Sequence, residues 1–237
     1  MMPIDLRLRA SGLRRLATCL TGIVLLFGAP PVAMAQTPVS PAEQRVFLDD
    51  HLRGIASSAV LRYRFAQTGT LDKAFDGDVV LTIEAKDRDT RAVEVAYLSG
   101  ERRVILPAVE SAKANPVILY FLEQDVREMH RRLGGSENYF RRRIRLAFAE
   151  GAEVRPASVV VDGRTIAADE VVIRPFVDDP MKAKLGPFEG KSYAFVLSDQ
   201  VPGGVVRLQS RVAAPANGAA ATGPLLEDVL SFDKVAK

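Results

Sequence analysis

Two histidines, His51 and His130, have the widest range of possible chemistry in this sequence, since an imidazole can act as a base, an acid or a metal ligand near neutral pH. Neither lies at a spacing typical of a helical zinc site. His51 follows two aspartates, and His130 shares a polar helical face with Glu123 and Arg127. We therefore expect both to be exposed helix residues and predict no metal site and no cofactor.

A serine nucleophile would need one of these histidines as its base and a carboxylate to orient it. The sequence has no Gly-x-Ser-x-Gly turn, and Ser57 and Ser58 precede a strand without neighbouring glycines. A hydrolase built on His51 or His130 is kept as a second alternative. The sequence predicts no catalytic residue and a protein that is not an enzyme.

Two pairs of acidic residues, Asp169-Glu170 and Asp178-Asp179, could supply oxygen ligands to calcium. A calcium loop spaces its ligands along the chain around a glycine turn, and only part of that pattern is present. We interpret both pairs as parts of ordinary charged segments.

Seven arginines lie between residues 127 and 145. Guanidinium groups bind carboxylates and phosphates with two parallel hydrogen bonds, so this cluster could dock anionic lipid headgroups or an acidic envelope protein. Interleaved acids, among them Glu123 and Glu137, favour instead a solvated surface of internal ion pairs. If the cluster binds a partner, the predicted contacts are Arg131, Arg132, Arg141, Arg142 and Arg145.

The elements that position these residues follow from hydrophobic spacing. Apolar residues from Val46 to Ile55 recur at helical steps and predict a helix over 42–56. From Leu61 the period becomes two, which is typical of half-buried strands. Short polar links between them favour antiparallel hairpins. The predicted strands begin at Leu61 and continue at 79–85, 92–98 and 104–106.

A helical hairpin is predicted over 115–150. Asn115-Pro116 begins the first helix, its apolar stripe runs from Ile118 to Leu133, and Gly134-Gly135 ends it. Ser136 starts the second helix, which reaches Gly151. Further strands are predicted at 158–161, 165–173, 193–197 and 205–212, then a flexible loop at 213–224, and a segment at 225–235 that is compatible with a strand or a helix.

The pattern of the first 35 residues predicts an export signal. Four arginines precede an apolar run from Leu16 to Phe27, and Ala33-Met34-Ala35 offers a cleavage site before Gln36. The run is too short to span a bilayer comfortably. We expect a cleaved signal peptide over 1–35, a flexible lead-in over 36–42, and a single periplasmic domain over 43–237 that is not an integral membrane protein. Arg14-Arg15 leaves twin-arginine export open beside general secretion.

Removing this leader also changes the charge. It holds four of the 32 basic and one of the 29 acidic residues, so the remaining chain carries 28 of each and is formally neutral. Nucleic acid is therefore not an expected partner. The single cysteine, Cys19, lies in the leader, so the fold must rest on packing without a disulfide.

A helix, strands beginning Leu61-Arg62-Tyr63-Arg64-Phe65, a helical insertion and more antiparallel strands resemble the periplasmic lipoprotein-carrier (Lol-type) half-barrel superfamily. The stretches Asn115-Pro116-Val117 and Phe121-Leu122-Glu123 also resemble those of uncharacterised exported proteins of Gram-negative bacteria. In the carrier superfamily a curved sheet wraps helices and leaves an apolar cavity for acyl chains.

The resemblance implies an α+β fold with a curved antiparallel sheet of about eight or nine strands, packed with an N-terminal helix and the central hairpin. The expected function is binding or carrying an amphiphilic envelope ligand, such as a lipid or a lipoprotein acyl chain. The alternative is an interaction protein that docks an acidic partner or an anionic membrane through the arginines. The residues expected to line the cavity are Leu61, Phe65, Ile118, Leu122 and Phe140.

Overall fold

The structure, a computed structural model, describes residues 38–86, 90–214 and 223–236. Four strands come before the central helices: β1 (Ala59–Thr68), β2 (Phe75–Ala85), β3 (Arg91–Tyr97) and β4 (Val109–Ala112). Five follow: β5 (Glu153–Val161), β6 (Arg164–Ile173), β7 (Ser192–Leu197), β8 (Val205–Val212) and β9 (Leu226–Ala236). The helices are α1 (Pro41–Glu43), which continues as a π-helical turn (Gln44–Leu48), α2 (Val117–Leu133) and α3 (Glu137–Glu150). Short 3-10 turns lie at Gly100–Arg102, Lys182–Lys184 and Gly186–Gly190.

The strands form one antiparallel sheet in the order β4-β3-β2-β1-β9-β8-β7-β6-β5. The sheet is curved and does not close. Strand β1 lies beside the central strand β9 and pairs with both β2 and β9, which joins the early strands to the late ones. The predicted α+β half-barrel with about eight or nine strands is confirmed.

The helical hairpin lies where it was predicted. The Asn115 side chain accepts a hydrogen bond from the Val117 amide at 3.1 Å and so caps the start of α2. Gly134 and Gly135 end α2 with positive φ angles of 69° and 80°, a conformation that glycine adopts at little cost. Helix α3 then begins at Glu137.

The predicted helix over 42–56 is too long, because helical structure ends at Leu48. Asp49 takes an extended conformation, and the Leu52 amide donates to the carbonyl of Lys113 at 3.1 Å instead of to a helical partner. Leu52 and Ile55 are still buried, as the apolar spacing required, but a turn and not a helix brings them into the core.

The predicted strand over 104–106 is also wrong. In that segment only Val104 pairs, through an isolated bridge to Tyr97, and β4 begins at Val109. Pro107 has no amide hydrogen to donate to a neighbouring strand. It therefore interrupts the pairing between the Val104 bridge and β4. The segment 225–235, left open between strand and helix, is the strand β9.

Some expectations fall outside the described residues, namely the leader, residues 36 and 37 of the lead-in, and 215–222 of the predicted loop. Within the described part of the lead-in, Ser40 caps α1 and donates to the Phe148 carbonyl at 2.8 Å. Across the described ranges, we find no helix with the length and apolar character needed to cross a membrane.

The core lies between the inner face of the sheet and the helices. Along β1, Leu61, Tyr63 and Phe65 are buried while Arg62 and Arg64 are exposed, as a period of two requires. At the two ends of the sheet, β4 and β5 each pair with a single strand. Strand β5 is largely exposed and contains Pro156.

Candidate functional site

An apolar groove lies on the helical side of the molecule. It has a volume of about 470 Å³ and is bounded by the N-terminal segment, α2, α3 and the stretch before β4. None of its lining residues belongs to a strand. The apolar lining consists of Val39, Phe47, Leu48, Leu106, Leu119, Leu122, Val126, Ile144 and Phe148.

Helix α2 builds one wall because it has more than one apolar face. Phe121 faces the core, whereas Leu119, Leu122 and Val126, at steps of three and four, line the groove. Leu119 and Leu48 each remain 51% exposed. Large apolar side chains gathered on a surface are typical of sites that bind a ligand or a partner.

Charged residues form the rim of the groove. Glu123 accepts hydrogen bonds from Arg141 at 2.7 and 2.9 Å and from Arg127 at 3.2 Å. Partial burial raises the pKa of Glu123, but these two arginines outweigh that effect and hold its pKa below the ordinary value. Arg145 is exposed and forms no ion pair with any described residue. The rim can therefore accept a polar group beside an apolar chain.

Of the five residues predicted to line a cavity, Leu122 alone lines this groove. Leu61, Phe65, Ile118 and Phe140 are buried in the hydrophobic core. Phe65, for example, packs against Phe75 and Tyr97 with ring centroids 5.7 and 6.3 Å apart.

The five predicted docking arginines divide into two groups. Arg131 and Arg132 both pair with Glu128, and Arg141 pairs with Glu123 and Glu137. Arg142 and Arg145 are exposed, and neither forms an ion pair within the described ranges. Most of the arginine charge is thus compensated within the helical hairpin, and a role in docking stays a prediction.

His51 was predicted to lie on an exposed helix face, and this prediction is wrong. The side chain is 6% exposed and lies in the turn after the π-helical segment. Its Nε2 lies 2.9 Å from the Arg45 carbonyl oxygen, and its Nδ1 accepts from the Asn115 amide at 3.1 Å. Burial lowers its pKa, which favours this neutral form. Both ring nitrogens therefore bond to the backbone, and neither is available to activate a serine hydroxyl.

His130 is exposed, as predicted, with Nδ1 2.8 Å from the carbonyl oxygen of Gly135. The acidic pairs are also engaged within the protein. Asp169 pairs with Arg45 at 2.9 Å, and the buried Asp179 pairs with Arg143 at 2.8 Å. Within the part of the chain that the structure describes, no group of three or more His, Cys, Asp or Glu residues could hold a metal ion.

A polar cluster that the sequence did not predict is buried between α2 and the sheet. Asp125 of α2 pairs with the fully buried Lys191 at 2.5 Å, and accepts from Tyr193 at 2.5 Å and Ser210 at 3.2 Å. These partners lie more than 60 residues away in sequence. In the sequence, Asp125 looked like one more surface acid of the arginine-rich hairpin.

Asp228 of β9 extends this cluster. It accepts from the buried Gln67 side chain at 2.9 Å, and its second oxygen, Oδ2, is buried without a hydrogen-bond partner among the described residues. Burial raises its pKa to about 6, the charge of Asp125 adds to the rise, and Lys191 opposes it.

Because its pKa is higher in the folded than in the unfolded chain, the Asp228 carboxyl stabilises the fold below about pH 4, and this stabilisation is lost as the pH rises through about 6. We expect Asp228→Asn to be about 1–3 kcal/mol more stable than the parent at pH 7.5, with the gain shrinking towards pH 4.5. Urea unfolding of both proteins across this range measures the effect. A gain that is independent of pH would contradict it.

The fold and the groove define an α+β half-barrel with an apolar cavity on its helical side. No protein-family model and no curated protein sequence matches the chain. Among solved structures, it is similar to the lipoprotein LppX of Mycobacterium tuberculosis, with 10% identity, 82% of this chain and 92% of that chain covered, and a TM-score of 0.33. LprF of Mycobacterium bovis gives 14% identity, 83% and 93% coverage, and a TM-score of 0.29.

A LolA-superfamily protein of Nitrosomonas europaea is also similar, with 10% identity, 82% and 92% coverage, and a TM-score of 0.21. This is the superfamily that the element order of the sequence resembles. The observation that bears on a ligand is the apolar groove of this chain, and not these likenesses.

Proposed function

We propose that this protein is exported to the periplasm and binds the acyl chain of an amphiphilic envelope ligand in the apolar groove. The groove carries the proposal, because its volume of about 470 Å³ falls in the range of about 300–1,000 Å³ typical of small-molecule sites. Its walls are almost wholly apolar, with the charges at the rim. That distribution suits a molecule with a hydrocarbon body and a polar end.

The exposed side chains of the groove support the proposal on energetic grounds. Leu48, Leu119 and Val39 are each at least half exposed. Covering the exposed half of such a side chain gains about 1 kcal/mol, roughly half of the value for full burial. A flexible acyl chain that contacts all three can therefore bind without a hydrogen bond in the groove.

Replacing Leu119 by Glu tests the groove. The substitution places a carboxylate where the acyl chain would lie, and since Leu119 is already half exposed we expect the fold to tolerate it. Binding of a dansyl-labelled fatty acid, followed by fluorescence, should weaken by about tenfold or more. The matched control is Val160→Glu on the outer strand β5, where the parent side chain is 70% exposed and lies outside the groove.

The control should bind the fatty acid as the parent does. Equal binding by Leu119→Glu and the control would show that the chain binds elsewhere. No binding by the parent protein would overturn the proposal.

A further inference from the structure

A second cavity, of about 380 Å³, lies on the other flank of α2 and is lined mainly by charged side chains. We call it the arginine cleft. Its cationic lining residues are Arg102, Arg103, Arg127 and Arg131, and its carboxylates are Asp72, Glu101 and Glu128. The remaining lining residues are Val104 and Gln124.

One wall of the arginine cleft holds cationic charge without a partner carboxylate. Arg102 is partly buried, yet neither it nor the exposed Arg103 forms an ion pair with any residue in the described ranges. Fully buried charges in proteins are normally paired, and a partly buried guanidinium is stabilised by an anionic partner. Within the described ranges, the Arg102 guanidinium has no such partner.

The rest of the structure holds Arg102 in place. It donates to the Gln67 side chain at 3.0 Å, and its guanidinium lies 4.6 Å from the ring centroid of Phe75. Gln67 is fixed in turn by Asp228 at 2.9 Å. A cation positioned in this way loses little freedom when it binds an anion.

The opposite wall is closer to neutral. Arg131 pairs with Glu128 at 2.6 Å, and Arg132, which is outside the cleft lining, pairs with both Glu128 and Asp72. Two of the three carboxylates are thus compensated without drawing on Arg102 or Arg103. The third, Glu101, precedes Arg102 in the same turn and offsets one of the two positive charges on the wall that these two arginines form, so the excess positive charge of the cleft lies there.

A second observation points to a ligand with hydroxyl groups. The Gln124 side chain is 7% exposed and lines the cleft, and its Oε1 is buried without a hydrogen-bond partner in the described structure. A buried acceptor of this kind costs free energy unless something donates to it. We expect a bound hydroxyl group to satisfy it after the Gln124 amide rotates towards the cleft.

From this arrangement we infer that the arginine cleft binds a phosphate group carried on a hydroxylated body, the headgroup of the amphiphile that occupies the groove. This inference rests on the proposed function. Guanidinium groups recognise phosphate oxygens through paired hydrogen bonds, and the cleft is large enough for more than a phosphate alone. The two sites share a boundary, because Glu123 of the groove pairs with Arg127 of the cleft at 3.2 Å.

Two probes with the same acyl chain test this inference: lysophosphatidylglycerol, which has the phosphate, and monoacylglycerol, which lacks it. The parent protein should bind the phosphate probe at least tenfold more tightly in titration calorimetry. Arg102→Gln should remove that preference and leave monoacylglycerol binding unchanged. Arg103→Gln, a change of an exposed side chain that the fold should tolerate, should reduce the preference about threefold.

The matched control is Arg64→Gln on β1, where the parent side chain is exposed, pairs with Asp78 at 3.4 Å and lies outside the cleft lining. It should keep the preference. Equal binding of the two probes by the parent would overturn the phosphate site. If monoacylglycerol binds tightly, the proposed binding of an acyl chain in the groove still stands. Failure of both probes overturns the groove.

Glycerol phosphate alone tests the cleft without an acyl chain. Its addition should shift the NMR signal of the Arg102 Nε–H group, and the binding should weaken as salt is added, since the contact is electrostatic. No shift of this signal at saturating glycerol phosphate would contradict the inference.

Discussion

Replacing Asp125 by Ala should destabilise the protein by about 3–5 kcal/mol, because it leaves the Lys191 ammonium buried without its counter-ion. Lys191 is fully buried and its Nζ lies 2.5 Å from Asp125 Oδ1. The hydroxyls of Tyr193 and Ser210 lose the same acceptor. Urea unfolding monitored by circular dichroism would show the effect as a lower midpoint with a similar slope.

The control for this experiment is Glu153→Ala, which breaks an ion pair of similar length on the surface. Glu153 and Arg174 lie 2.6 Å apart with about half of each side chain exposed, so the loss should be at most about 1 kcal/mol. Adding Lys191→Met to Asp125→Ala should recover part of the stability, since the buried ammonium without its counter-ion is then gone. A loss below 1 kcal/mol for Asp125→Ala would show that the Asp125–Lys191 pair contributes little to the free energy of unfolding.

Replacing Phe65 by Ala should cost about 3–5 kcal/mol of stability without weakening fatty acid binding by the folded protein. Phe65 is fully buried near the centre of the sheet, where β1 pairs on both sides, and its ring packs against Phe75 and Tyr97. The substitution leaves a cavity that the neighbouring strands cannot easily close. Thermal unfolding and a binding titration well below the midpoint measure the two quantities.

Leu119→Ala is the counterpart, because it shortens a groove residue that is already half exposed. It should cost less than about 1 kcal/mol of stability and weaken fatty acid binding instead. The reverse outcome, in which Phe65→Ala keeps its stability and loses binding, would support the sequence-based expectation that Phe65 lines the ligand cavity.

The strands and the helical hairpin could be predicted because their signals are local. The alternation of Leu61, Tyr63 and Phe65 with arginines reports one buried face, and glycines with positive φ angles mark where α2 ends. The predicted helix near residue 46 is too long, because the signal that ends it is not local. A contact with Lys113, about 60 residues away, diverts the chain there, and no nearby residue signals it.

The functional sites were predicted less well, because they depend on which helix face meets the sheet. The predicted stripe omits Leu119 although it lies three residues before Leu122 and seven before Val126, and this extra leucine is the signal that could have revealed a second apolar face on α2. Arg102 gave no such signal. Its lack of a carboxylate partner appears only once the fold has brought Phe75 and Gln67 beside it.

The proline in the edge strand β5 has a consequence for self-association. A sheet that does not close leaves free strand edges, and such edges invite a second copy to add its own strand. Pro156 removes one amide donor from β5, between Glu153 and Val161, so no long uninterrupted row of donors faces outward. Pro156 thus makes this edge of the half-barrel a poorer template for an added strand.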